Sequence, residues 1–355
     1  MDRREFLRSA TALTLAPALA RSAPAPRGRF GIAYTSFVIR MLRGRDVLRG
    51  GSAAGFPAET FVDLVHSFGG SGCQIDLAQL ASPPDAGQLK RVREALERHH
   101  LFVELSVPAR SLEDADAFAR AAAAAHALGA RRLRVALLSG RRYEDFHRME
   151  DWRAYVERWR AALPRAAGWL EKEDLQAGIE NHKDYLATEL VDVLRRVGSA
   201  HLGACVDFGN NLALLEDPVA VVEALAPHAL STHLKDMAVR PYDDGFELSE
   251  VPLGKGILPL ARMVDALRKA RPDVDFCLEM ITRDPLKVPY LKDGYWVTYD
   301  RRDPAREEAF RSGVLSKASK EPLPRVTGLT PEQMLAAEDD NVRACVAYAK
   351  GTLGL

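Results

Sequence analysis

The sequence predicts an α/β fold, a single-domain (β/α)8 TIM barrel with a C-terminal helical extension. Three observations carry this: short apolar runs alternate with longer helical patterns, eight such runs can be counted, and no linker or break in composition divides the chain. An open doubly wound sheet uses only about five or six strands. The 355 residues, 47% of them hydrophobic, suffice for one large core.

The first segment, residues 1–27, stands apart from the rest. Arg3 and Arg4 lie just before Phe6 and Leu7, and an apolar Ala/Leu/Thr run follows from Ala10 to Ala20. This resembles a bacterial twin-arginine export signal, and Pro17 with the Ala/Pro/Arg-rich stretch to Arg27 argues against an ordinary N-terminal helix. The expected location is therefore periplasmic or otherwise exported. The run falls short of the roughly 20 apolar residues that span a bilayer, and no later segment is longer and uncharged, so no stable membrane anchor is expected.

The barrel is expected over residues 28–321. Its strand candidates are Phe30–Thr35, Gly72–Ala78, Leu101–Val107, Arg132–Leu138, Ala177–Asn181, Leu202–Asp207, Leu230–Leu234 and Asp275–Met280, each short and rich in apolar residues. Between them, apolar residues recur at three- and four-residue spacing, as in Glu59–Phe68, Gln88–His99, Leu112–Leu128, Trp152–Glu173, Thr188–Val197, Pro218–Ala226 and Leu258–Arg271. Two long connections, Met237–Ile257 and Ile281–Asp303, are expected as loops over the barrel mouth, where Tyr290, Tyr295, Trp296 and Tyr299 are candidates to wall a pocket. Residues 322–355, with Thr330-Pro331-Glu332 opening a helix, read as an outer extension without chemistry.

Lys plus Arg and Asp plus Glu both total 49, so no net field favours a polyanion, and nucleic acid is an unfavoured partner. Cys73, Cys205, Cys277 and Cys345 show no C-x-x-C spacing, and three lie in strand runs, which predicts buried free thiols.

Chemistry is expected where strands end. The fifth run ends Glu180-Asn181-His182, the sixth Asp207-Phe208-Gly209-Asn210, the seventh His233-Leu234-Lys235-Asp236 and the eighth Glu279-Met280. Neighbouring barrel strands lie about 4.8 Å apart, so Glu180, Asp207, His233 and Glu279 can converge near the axis. Three carboxylates meeting there repel unless a cation lies between them. Carboxylates with one imidazole suit one divalent ion, manganese first, with magnesium, cobalt or zinc as alternatives. His182, beyond its strand end, is a better substrate contact than Asn181, and Lys235 is either a substrate contact or half of a local salt bridge with Asp236. Gly254 and Gly256 would allow close backbone approach to a ligand or simply form a tight turn. Asp76 and Glu104, at ends of earlier strands, rank lower.

Together these motifs, with Leu253-Gly254-Lys255-Gly256, make the chain resemble the sugar phosphate isomerase/epimerase superfamily of xylose-isomerase-like TIM barrels, which also holds endonuclease-IV-type repair enzymes. The resemblance covers roughly Phe30 to Asp303 and implies that Glu180, Asp207, His233 and Glu279 are metal ligands. It also implies that Glu180 and Glu279 flank a small carbohydrate and move its protons, and that a homodimer is common. The chain departs from the ketose epimerases of that group, which place a His where Asn210 stands and a substrate-binding Glu and Arg where Leu186 and Val239 stand. Asn210, Arg240 and Trp296 are therefore the remaining candidates for holding substrate. The expected activity is isomerisation or epimerisation of a sugar, keto-sugar or cyclitol through an enediolate. The alternatives are a lyase or dehydratase acting on an oxidised sugar or glycoside, a non-catalytic carbohydrate-binding barrel, and cleavage at abasic DNA, which the neutral charge and export disfavour.

Overall fold

The computed structural model describes residues 28–44, 56–80 and 85–355, so the expected export signal lies outside the described residues. Eight parallel strands close into a barrel: β1 (Phe30–Ala33), β2 (Gly72–Asp76), β3 (Phe102–Ser106), β4 (Arg132–Val135), β5 (Gln176–Glu180), β6 (Leu202–Asp207), β7 (Ala229–Leu234) and, after two further strands, β10 (Phe276–Leu278). β10 pairs with both β7 and β1 and completes the ring. All eight lie within the runs expected from sequence or within one residue of them. Parallel strands covered by helices are buried on both faces, which is why β6 and β7 are buried along their whole length.

Helices return the chain between strands, and their ends are set locally. Asp85, Asp114 and Asp217 cap the helices Ala86–Arg98, Ala115–Leu128 and Pro218–Leu225 by accepting hydrogen bonds from first-turn backbone N–H groups. Gly129, at φ +76°, stops the helix before β4 in a left-handed conformation that side chains disfavour.

The segments expected as long loops contain a second sheet. β8 (Asp236–Tyr242) and β9 (Gly245–Val251) form an antiparallel hairpin, and β11 (Leu286–Val288) pairs with β9. The reason is in the residues: Met237 and Val239 alternate against Phe246, Leu248 and Glu250, and Asp243-Asp244-Gly245 makes the turn. β8 starts one residue after β7, so the hairpin rises straight from the barrel rim.

The C-terminal segment forms the helix Pro331–Tyr348, opened by Thr330 in a reciprocal capping box with Gln333. It packs on the segment after β1, where Glu338 accepts hydrogen bonds from the Ile39 N–H (2.6 Å) and Arg40 (2.7 Å). The four cysteines are free and buried, as expected. Among the described residues no helix is long and apolar enough to cross a membrane.

Candidate metal centre

Strand periodicity and register build the site. Asp207 pairs with His233, His233 with Cys277 and Glu180 with Cys205 across adjacent strands. Residues two apart share a face, so Glu180, Cys205, Asp207, His233, Cys277 and Glu279 all project to the barrel interior. Glu180, Asp207, His233 and Glu279 each offer one ligand atom within 4.8 Å of the others, and all four are buried. Nδ1 of His233 lies 3.4 Å from Glu180 Oε2, 3.4 Å from Glu279 Oε1 and 3.7 Å from Asp207 Oδ2.

A chain of hydrogen bonds fixes that imidazole. Glu104 Oε2 accepts from the Gln74 amide nitrogen (3.1 Å), so the Gln74 oxygen must face His233, 2.7 Å from Nε2. Nε2 therefore carries a hydrogen and Nδ1 turns to the carboxylates, where it is buried without a hydrogen-bond partner. A bare lone pair facing three carboxylate oxygens is repulsive, so the position calls for a proton or a metal ion. Burial alone would lower the His233 pKa, but Glu279 and Glu180 outweigh it and push it well above the usual range. Oxygen and imidazole donors of this kind fit a divalent ion. Cys205 also lies within reach of Glu180 and His233, but burial pushes its thiol up to about 12, which disfavours a thiolate ligand.

Basic side chains balance the carboxylates. Arg134 donates from Nε to Glu180 Oε2 (2.5 Å), and Lys235 Nζ pairs with Asp207 Oδ2 (2.8 Å) and with Glu279. Burial would push both glutamates up, yet Arg134 and His233 hold Glu180, and His233 and Lys235 hold Glu279, well below the usual carboxylate range. Asn210 donates to Glu180 Oε1 (2.9 Å) and accepts from Lys183, while the Thr35 hydroxyl donates to Glu279 Oε1 (2.9 Å). On β9, Glu250 pairs with Arg283 (2.6 Å) and faces the charge of Lys235. Burial with Lys235 and Arg283 nearby lowers the Lys183 ammonium to about 8.

The other expected residues divide. His182 lies beside the cluster with Nδ1 2.8 Å from the Leu138 carbonyl, and burial with Lys183 nearby lowers it to about 4, so it is neutral. Lys235 joins the cluster rather than Asp236, whose carboxylate accepts from the N–H groups of Met237, Gly254, Gly256 and Leu258. Gly254 and Gly256 thus bring backbone to Asp236, not to a ligand: a Cβ on Gly256 would lie 2.2 Å from Asp236 Oδ1. Arg240 is not brought to the cluster. Alternation along β8 puts it opposite Glu247, on the hairpin face away from Glu250. Trp296 is not either: its indole N–H donates to the Tyr290 carbonyl (2.7 Å) and its ring packs on Tyr295 and Tyr299. Glu104 lies in mid-strand beneath the site, not at a strand end, and Asp76 caps the turn after β2. Sequence reasoning missed Gln74, Arg134, Lys183 and Arg283. Arg134 had a signal, since alternation in Arg132-Leu133-Arg134-Val135 leaves the arginines on one face and the apolar pair on the other.

The family described as xylose isomerase-like TIM barrel matches residues 62–311. A protein named 3-oxo-isoapionate decarboxylase, from Pectobacterium atrosepticum, is 29% identical over 122 residues, 34% of this chain and 43% of that protein. An Escherichia coli protein, YihM, is 27% identical over 89 residues, 25% of this chain and 27% of its own length. The matches therefore span less than half the length of these relatives. Crystal structures of D-psicose 3-epimerase share the fold: one with D-fructose present has a TM-score of 0.58 at 15% identity, covering 92% of this chain and all (100%) of that one. Another, from Clostridium cellulolyticum H10 with D-tagatose, has a TM-score of 0.57 at 15% identity, covering 92% and 99%.

Proposed function

The chain belongs to the xylose isomerase-like TIM barrel family, and from that premise we propose that it is a divalent-metal-dependent isomerase or epimerase of a sugar, keto-sugar or cyclitol. The observation that carries this is His233, whose Nδ1 is turned by Gln74 onto three buried carboxylates. Glu180, Asp207, His233 and Glu279 would hold the ion, manganese before magnesium, cobalt or zinc. Bound there, a divalent ion supplies Lewis-acid polarisation of a substrate carbonyl, which acidifies the adjacent C–H.

The chain's own residues then handle the proton. Each glutamate turns one oxygen to His233 and leaves the other with a different neighbour: Glu180 Oε1 with the neutral Asn210 amide, Glu279 Oε2 with the Lys235 ammonium. Glu180 Oε1, which faces a neutral amide rather than an ammonium, removes the proton: the C–H electron pair becomes the carbon–carbon double bond of the enediolate as the carbonyl π pair moves onto oxygen. Glu279 Oε2, supplied through Lys235, returns a proton to the opposite face of the same carbon for epimerisation; for isomerisation the proton goes to the former carbonyl carbon, and the hydroxyl proton of its neighbour passes to the other substrate oxygen as the new carbonyl forms. Asn210 and Lys183 orient Glu180, and His182 presents its other ring nitrogen to substrate.

The test is solvent exchange. Metal-loaded protein in D2O should place deuterium at the carbon next to the carbonyl of a ketose or keto-acid panel, and Glu180→Gln should lower this at least about a hundredfold. Elemental analysis should find one ion per chain, lost in His233→Ala. An unlabelled panel together with metal-free protein would overturn the reading and leave a carbohydrate-binding barrel.

A second reading, loss of carbon dioxide or a β-substituent from an oxidised sugar, is favoured by the match to a protein named as a decarboxylase. We further propose that residues 1–27 export the protein. Recovery of the full-length chain from the cytoplasmic fraction alone would refute this.

A further inference from the structure

The strand ends β2, β3 and β4 open onto a cavity of 630 Å³ that touches the metal cluster through one shared residue, Arg134. Its charge is one-sided. Arg110, Arg120 and Arg134 line it, against the single carboxylate of Asp76, which already caps Ala78 N (2.8 Å). Arg110 and Arg120 are exposed, and no carboxylate pairs with either among the described residues. Ser111 lines the same cavity, is 1% exposed, and its hydroxyl has no hydrogen-bond partner.

A second arginine-rich cavity, of 710 Å³, at the opposite end of the barrel shows what a merely structural arrangement looks like. There Arg29, Arg93, Arg131 and Arg132 line the wall, and every one is paired with an acid. In the cavity beside the cluster only Arg134 has an acidic partner, Glu180, and no carboxylate pairs with Arg110 or Arg120 among the described residues.

The buried charges of the cluster point the same way. Glu180, Asp207, Glu279 and Glu250 face Arg134, Lys235, Lys183 and Arg283, four acids against four bases, with the His233 imidazole among them. A divalent ion held by Glu180, Asp207 and Glu279 would satisfy the carboxylates that Arg134 and Lys235 now neutralise, leaving a positive surplus. Uncompensated charge at such depth is costly, and a planar guanidinium matches an oxyanion with paired donors.

We propose that the substrate of this site is an anionic sugar, its carboxylate or phosphate received by Arg134 with Arg110, Arg120 and the Ser111 hydroxyl. This rests on the reading of the site as a sugar-modifying centre and deepens it. The anion is held in the arginine cavity while the carbonyl end lies toward Glu180 and Glu279, which separates recognition from proton transfer.

The experiment is calorimetric titration of the full-length protein, with and without Mn²⁺, using D-fructose, 2-keto-D-gluconate and D-fructose 6-phosphate. One of the anionic sugars should bind at least tenfold more tightly than fructose, and which of the two does so identifies the anion. The double substitution Arg110→Gln/Arg120→Gln, on exposed side chains that leave the fold intact, should erase that margin while leaving fructose affinity within twofold. Fructose binding as tightly as both anions, or the margin surviving in the double variant, overturns the proposal. Those results leave the metal-enzyme reading untouched, since that reading fails on absence of metal and of solvent exchange instead.

Discussion

At Gln74 one amide decides which nitrogen of His233 is available. Its orientation follows from Glu104, a carboxylate that accepts from the amide N–H, so the tautomer is set two side chains away from the carboxylate cluster. Gln74→Leu removes the acceptor for Nε2–H and leaves the imidazole free to swap tautomers. The expected outcome is a 10- to 100-fold loss of Mn²⁺ affinity, on the order seen for such supporting contacts, with an unchanged circular dichroism spectrum. Titration within threefold of wild type would show that Gln74 does not orient the ring. The cluster residues were legible in the sequence because strand ends are short, fixed in direction and free of packing reasons for acids. Gln74 was not, because an uncharged amide inside Gly72–Asp76 reads as ordinary strand, and its partners lie 30 and 159 residues away. Arg240 and Trp296 show the complementary difficulty: residue type is visible in a sequence, while the place of Arg240 depends on the pairing of β8 with β9, and that of Trp296 on its hydrogen bond to the Tyr290 carbonyl.

The hairpin also explains the glycines of Leu253-Gly254-Lys255-Gly256. Its first strand begins at Asp236, whose carboxylate gathers backbone N–H groups from the returning turn, tying β8 to the start of the helix Leu260–Ala270. The added methyl of Gly256→Ala would meet Asp236 Oδ1 at 2.2 Å and the Met237 carbonyl at 2.4 Å, and neither neighbour is a flexible chain end. We expect a loss of about 1–3 kcal/mol by overpacking, read as a lower urea midpoint at constant slope. Gly294→Ala, where no atom lies within 4 Å, serves as the control and should shift little. Equal effects at the two positions would mean that the turn does not depend on this contact. The barrel strands were readable one by one because each βα unit repeats the same switch from apolar run to helical spacing. The extra sheet was hidden because its strands interrupt that rhythm without a helix between them, and Pro241 within β8 weakens the strand signal.

For the whole molecule, residues 322–355 were expected as an outer extension, and the helix Pro331–Tyr348 does lie against the barrel, but it is also the partner of the first βα connection. Glu338 is the tie: its side chain is fully buried, takes the Ile39 N–H, and pairs with Arg40, while Asp339 holds the other arm of the same guanidinium. A sequence cannot show such a contact, since the pair is separated by 299 residues and neither Ile39 nor Glu338 belongs to a motif. Burial pushes the Glu338 carboxyl up to about 7, only partly offset by the Ile39 N–H and Arg40. Because the folded pKa is above the ordinary value, the folded state binds the proton more tightly. This contribution is fully present below about pH 4.5 and is lost as pH rises through 7. It amounts to at most about 3 kcal/mol. The substitution Glu338→Gln, which keeps a neutral side chain of the same shape at every pH, should therefore change stability little at pH 5 and raise it relative to wild type at pH 8. Urea midpoints for both proteins at the two pH values decide it: parallel curves would mean that Glu338 stays ionised throughout, and that Arg40 rather than a proton neutralises the carboxylate joining the extension to the barrel.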